Sequence, residues 1–132
     1  MTAGGVGSAA GMGTVLDGIR VLSVGNWLAA PHATRILADL GADVIKIEHP
    51  TGGDPYRRID HFYDGDTPDD LTYRFVQVNR GKRSVAVDLS SAEGQAVFES
   101  LAAESDIVVE NLRPGLMERF GLDYERIDEI RD

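Results

Sequence analysis

Between Ile19 and Glu48 two apolar, β-branched runs flank one helical pattern, with only short links between them. Ile19-Arg20-Val21-Leu22-Ser23-Val24 ends at Gly25 and has the continuous apolar character of a buried strand. Pro31 suits the first turn of a helix, where its missing N–H costs nothing. Ala33, Ile36, Leu37 and Leu40 then recur at helical spacing, and Gly41 occupies the position just past a helix end where glycine is favoured. Asp43-Val44-Ile45-Lys46-Ile47-Glu48 is a second strand. Strand, helix and strand joined this closely make a βαβ unit, which is right-handed in nearly every fold and sets its two strands parallel. This unit excludes an all-helical or all-β architecture.

The rest of the chain continues the alternation. Residues 51–70 read as a long polar loop holding Gly52, Gly53, Pro55, Gly65 and Pro68. The run from Leu71 to Val78 fits a helix or a strand equally well. Ser84 to Leu89 reads as a third strand. Ser90 with Glu93 reads as a capping box for a helix extending to about Glu104. Asp106 to Glu110 is a fourth strand, Pro114 opens a short helix closed by Gly121, and Asp123 caps a last helix through Ile130. The expected fold class is α/β, Rossmann-like, with a mainly parallel sheet. Residues 1–14 are rich in small side chains, lack the basic and apolar regions of a signal peptide, and read as a flexible tail. Residues 15–132 read as one folded unit.

In such sheets ligands bind beyond the carboxyl ends of the strands. That rule draws attention to Gly25 to Leu28, to His49 to Arg58, to Asn79 to Arg83 and to Asn111 to Gly115. The formal net charge is −9, which argues against a nucleic-acid binder, since such proteins neutralise phosphates with a basic face. Yet these segments contain Arg57, Arg58, Arg80, Lys82, Arg83 and Arg113. An acidic chain with cations gathered at one rim is expected to hold a small anion there, most simply a phosphate. Plain structural readings stand beside this one. Asn79 to Arg83 also reads as an exposed basic turn, Asn111 to Gly115 as a strand-to-helix link with Pro114 at the first helical position, and Trp27 as core or rim packing.

Other chemistries find no support. The sequence has no cysteine, so it offers no disulfide, thiolate nucleophile or cysteine zinc site. His32, His49 and His61 lack the spacing of a metal site. Gly5-Val6-Gly7-Ser8-Ala9-Ala10 imitates a dinucleotide fingerprint but precedes the first strand instead of following it, so neither NAD nor flavin is expected. There is no G-x-S-x-G or Walker sequence. Nor is there a run of about 18 apolar residues of the kind a membrane-spanning helix needs. A cytoplasmic location is expected.

Four stretches together resemble the opening portion of the family III CoA-transferases, a family that includes formyl-CoA transferase, carnitine CoA-transferases and α-methylacyl-CoA racemase. They are LDGIRVLSVG, AAPHATRILADLGADVIKIEHPTGGDPYR, VNRGKRSVAVDLSSAEG and DIVVENLRPGLMERFGL. The resemblance implies the first part of a Rossmann-like large domain in enzymes whose two subunits interlock like chain links. It implies that the loops cradle coenzyme A, with Trp27 and Leu28 lining the cleft and His49 near the nucleotide. Asn79, Lys82 and Arg83 would belong to the nucleotide-binding turn. Asn111, Leu112 and Arg113 would border the pantetheine and phosphate path, and Arg119 would reach toward a phosphate. The glycine-rich loop after Glu48 would let backbone approach the ligand, with its arginines meeting phosphate charge.

The same resemblance implies movement of CoA between an acyl-CoA and a carboxylic acid. The family's nucleophilic aspartate, and the His and Asp pair of its racemases, lie downstream of Asp132. The expectation is therefore part of a CoA site without a catalytic residue, and a 132-residue chain that alone is inactive and incompletely covered. A racemase-like enzyme and a non-catalytic CoA-binding module are the alternatives.

Overall fold

The computed structural model describes residues 13–59 and 72–131. Most of the expected tail lies outside them, as do His61, Gly65, Pro68 and Leu71. Four strands, β1 (Arg20–Val24), β2 (Asp43–Glu48), β3 (Arg83–Ala86) and β4 (Ile107–Glu110), form one sheet in the order β3-β2-β1-β4. Every pairing is parallel. The helices are α1 (Ala29–Asp39), α2 (Tyr73–Asn79), α3 (Ala92–Ala103), α4 (Leu116–Arg119) and α5 (Tyr124–Arg131).

Strand side chains alternate between faces, and the two faces are covered by different helices. Leu22, Val24, Ile45 and Ile47 pack with Phe98 and Ala102 of α3 and Met117 of α4, the three helical residues being nearly or completely buried. Val21 and Val44 lie on the other face, against Leu37 and Ala38 of α1. The chain thus winds outward from β1 through β2 to β3 on one side, then crosses back so that β4 pairs with the opposite edge of β1. The direction of winding reverses between β1 and β4, and an open parallel sheet holds its ligand crevice at such a reversal.

Local boundaries follow from capping chemistry. Gly41 has φ 102°, the left-handed conformation expected just past the end of α1. The ambiguous run after Leu71 is helical: Thr72 caps α2 by accepting from the Phe75 N–H. Two expected starts are corrected. Ser91, not Ser90, caps α3, its Oγ accepting from the Gly94 N–H, while Ser90 bonds to Asp88. The pairing of Ser90 with Glu93 fails because the chain is still turning around Asp88 at Ser90. Pro114 does not begin α4; Gly115, at φ 82°, is its N-cap. Asp123 does cap α5, accepting from the Arg126 N–H at 3.0 Å.

Candidate functional site

At the reversal point the turns after β1 and β4 meet. Asn111, the residue after β4, accepts from the Asn26 N–H through Oδ1 and donates through Nδ2 to the Asn26 carbonyl, both at 3.1 Å. The approach is close enough that a Cβ on Gly25 would collide with the Asn111 side chain and with Ala30, so glycine is required at position 25 for packing.

A cavity of about 470 Å³ opens at this junction, with Trp27, Asn111, Leu112, Arg113, Leu116 and Arg119 in its wall. A second, of about 320 Å³, continues across the ends of β1 and β2 past His49, Val87, Leu89 and Phe120. Asn26, Leu112 and Leu116 line both. The result is a trough that is apolar along one length and cationic at the other.

The arginines differ in how they are engaged. Arg20, Arg35, Arg57, Arg80, Arg83 and Arg126 each face a carboxylate. The Arg113 and Arg119 side chains are exposed in the first cavity and have no hydrogen-bond or ion-pair partner among the described residues. Among the described residues no acidic side chain lines that cavity. Two unneutralised guanidinium groups beside a carboxylate-free wall favour an anionic ligand.

Of the residues expected at the site, Trp27, His49, Asn111, Leu112, Arg113 and Arg119 are brought together at this rim, and Leu28 stands exposed next to Trp27. Asn79, Lys82 and Arg83 are not among them. Arg83 opens β3, and the first residue of a parallel strand lies at the amino end of the sheet. All three line a separate cavity of about 290 Å³, with Lys46, Glu48 and Arg57 and with Phe75 and Val76 of α2. There Arg83 grips Asp43, the first residue of β2, through two bonds of 2.9 and 2.7 Å. Lys82 Nζ donates to the Pro31 carbonyl and to Asn79 Oδ1. Burial pushes the Lys82 amine down to about 7, and the charge of Lys46 acts in the same direction. The expected gathering of cations at a single rim is therefore corrected: Arg80 and Arg83 turn to Asp39 and Asp43 toward the amino end, and Lys82 lies in a cavity apart from Arg113 and Arg119.

The glycine-rich loop after β2 is also arranged differently from expectation. Arg57 is held in a fork by Glu48, with bonds of 2.7 Å to each carboxylate oxygen, and lies 3.8 Å above the Phe75 ring. Burial pushes the Glu48 carboxyl up, but Arg57 and the Asp54 N–H outweigh that and hold it at about 2. Arg57 is thus already neutralised. His49 accepts from the Thr51 N–H at 3.0 Å, and its Nε2 lies 3.8 Å from Asp88.

Beneath the rim is a buried group that the motifs did not single out. Lys46 and Asp54, almost completely inaccessible, are paired at 2.9 Å. Lys46 Nζ also donates to the Gly25 carbonyl at 2.6 Å. Asp54 Oδ1 accepts from the Trp27 and Tyr56 N–H groups at 3.1 and 3.0 Å. Trp27 has φ 68°, a left-handed conformation that costs a non-glycine residue about 1–2 kcal/mol. The signal in the sequence was a lysine and a glutamate two residues apart in an otherwise apolar strand: they share one face, and that face had to supply partners.

The sequence matches the profile of CoA-transferase family III over residues 16–132. The chain belongs to that family. It is 50% identical over 109 residues to the succinyl-CoA–L-malate CoA-transferase alpha subunit of Chloroflexus aurantiacus, covering 83% of this chain and 25% of that protein. It is 43% identical to the human succinyl-CoA:glutarate CoA-transferase, over 87% of this chain and 25% of the relative. A CaiB/BaiF family protein from Brucella suis superposes with a TM-score of 0.82 at 39% identity, covering 89% of this chain and 31% of that one. The chain therefore spans about a quarter of the length of the curated relatives it matches. The α/β, parallel-sheet fold is that of this CoA-transferase family. Among the described residues no helix is long and apolar enough to cross a membrane, and no cluster of three His, Asp or Glu could hold a metal ion.

Proposed function

We propose that this chain supplies part of the coenzyme A cleft of a family III CoA-transferase, one that moves CoA from succinyl-CoA to another carboxylic acid. The single observation carrying the reading is the cavity at the β1–β4 reversal, with Arg113 and Arg119 free to meet phosphate. The continuous apolar trough suits a pantetheine arm, with Trp27, Leu28 and Leu112 as its apolar contacts and Asn111 as a polar one. His49, at the other end, is assigned a contact with the nucleotide portion. The choice of succinyl donor and carboxylate acceptor rests on the names of the relatives, which pair succinyl-CoA with malate, mesaconate, citramalate and glutarate.

Nucleotide contact by Asn79, Lys82 and Arg83 is a separate part of the proposal, since each would have to exchange an internal partner for the ligand. Arg83→Ala titrated with CoA and with dephospho-CoA tests it. Assembly with a second chain, as an interlocked homodimer or with a complementary subunit, and a cytoplasmic location complete the reading. Relatives named as alpha and beta subunits of one transferase support the assembly.

Calorimetric titration should show binding of CoA and none of NAD. Isotope exchange between succinyl-CoA and labelled succinate should occur in the assembled enzyme. Absence of CoA binding overturns the reading, and so does epimerisation of a 2-methylacyl-CoA without exchange.

A further inference from the structure

Among the described residues Trp27 is the most exposed large aromatic side chain of the cleft wall, with 48% of its surface accessible, yet its backbone holds an unfavourable conformation. Something must hold it there. The turn after β1 contributes no side chain that bonds to the Trp27 N–H; the bond goes instead to Asp54, on the loop after β2. Asp54 is in turn fixed by Lys46, whose ammonium also grips the Gly25 carbonyl two residues before Trp27. Lys46 thus reaches from β2 to both loops at once. The ring of Trp27 meets Tyr56 edge-on at 6.1 Å, and the Tyr56 N–H shares the same Asp54 oxygen.

A buried ion pair is a poor source of net stability, because desolvation offsets most of its attraction. An apolar pair would fill the space between β2 and the loop at least as well. What an apolar pair lacks is a directed acceptor for the Trp27 N–H and a directed donor for the Gly25 carbonyl.

From this geometry we infer that Lys46 and Asp54 are positioning residues for the ligand cleft: a buried strut that locks Trp27 in its left-handed conformation and so sets the aromatic wall against which the ligand packs. The inference rests on the cleft reading above for the ligand, but its backbone half does not. Asp54 Oδ1 is the part that acts on Trp27; Lys46 keeps that oxygen aimed. The strut also joins the loops after β1 and β2, so a ligand that touches either finds both already set, as preorganised binding requires.

The chain has a single tryptophan, so its fluorescence reports this position alone. Two double variants separate positioning from stability. Lys46→Met with Asp54→Ala removes the acceptor without leaving a buried ammonium; Lys46→Met with Asp54→Asn removes both charges but keeps a side-chain oxygen for the Trp27 N–H. The first should give Trp27 a fast anisotropy decay that the wild type lacks and weaken CoA binding by about tenfold or more. The second, with a melting temperature similar to the first, should restore both. Equal anisotropy and equal CoA affinity in the two variants overturn the strut. If the wild type binds no CoA, the cleft reading fails, and the anisotropy comparison still decides the strut. If neither variant folds, hydrogen exchange in the wild type decides it: a Trp27 amide exchanging as fast as a free one overturns the inference, and a protected one supports it.

Discussion

Asn111 extends the pairing of β1 with β4 beyond the last strand residues, using its side-chain amide as though it were a further peptide group toward Asn26. Both bonds are exposed, and together they hold the two turns that frame the cleft. Asn111→Ala should lower stability by about 1–2 kcal/mol, the net value of two modest hydrogen bonds. It should also weaken CoA binding. Asn111→Asp keeps the acceptor but loses the donor and puts a negative charge on the cavity wall, so it should weaken binding further than alanine does. Chemical denaturation and calorimetric titration of both variants check this; an aspartate variant that binds CoA as well as wild type would contradict the phosphate assignment.

Arg113 and Arg119 carry the anionic end of the ligand in this reading. Replacing either by alanine should cost about 1.5–3 kcal/mol of CoA binding, roughly ten- to hundredfold in affinity, as expected for a charge-assisted hydrogen bond. Stability should hardly change, since neither arginine pairs within the described residues. Arg126→Ala is the control: Arg126 bonds Glu99 and Glu129 on helices away from the cleft, so CoA affinity should stay constant and stability should fall only slightly. Equal losses of affinity in all three variants would mean a diffuse charge effect and no defined phosphate contact.

The fold could be read from the sequence because its signals are local and mutually consistent. The apolar run of β1, the helical spacing of α1, Gly41 and the run of β2 allow little besides a βαβ unit, and the structure follows it closely. Boundaries were legible only where one residue decides the cap. Ser90 and Ser91 are adjacent with equal chemistry, and choosing between them depends on where the turn at Asp88 leaves the backbone pointing. The site was half legible. Arg113, Asn111 and Trp27 could be placed because the residues following a parallel strand fall at its carboxyl end. Arg83 was drawn to the same rim by composition, although the first residue of a parallel strand lies at its amino end, and Lys82 beside it spends its amine on the Pro31 carbonyl and Asn79. The role of Lys46 was hidden because a single lysine in an apolar strand does not reveal its partner eight residues on, across a loop.

Glu48 contributes to the acid limb of stability, beside Asp39, Asp43 and Asp88, whose carboxyls are also lowered by their partners. Its carboxyl is held at about 2 against an ordinary 4.5. Between those values the unfolded chain binds a proton that the folded chain does not, so stability rises with pH across that window. The contribution is fully present above about pH 4.5 and is lost as pH falls toward 2. Glu48→Gln should reduce stability at pH 7 by about 1.5–3 kcal/mol and flatten the pH profile below 4.5. Urea denaturation of both proteins at several acid pH values measures it, and parallel profiles would show that Arg57 does not hold the carboxyl.

Lys82 should act on the alkaline side with the opposite charge logic. Burial is the main cause that brings its amine down from 10.5 to about 7, with Lys46 and Arg35 adding like charge and Asp54 and Glu48 partly opposing them. The folded chain therefore releases this proton near pH 7, while the unfolded chain keeps it until about 10.5. Throughout that window the unfolded state binds more protons, so stability should rise with pH; below about 7 both states are protonated and the slope from this group vanishes. The amine can still donate to the Pro31 carbonyl and to Asn79 when neutral, so α1 stays tied to the turn before β3 across the change. Lys82→Met removes the titration and should flatten the profile between pH 7 and 10, at the expense of leaving the Pro31 carbonyl without its donor. Lys46 and Lys82 are the only lysines in the sequence, so a ¹³C titration of the lysine Cε signals can be assigned with a single variant. One signal should move near pH 7 and disappear in Lys82→Met. A Lys82 signal that titrates near its ordinary value would place the amine in solvent and remove the clamp between α1 and the turn before β3.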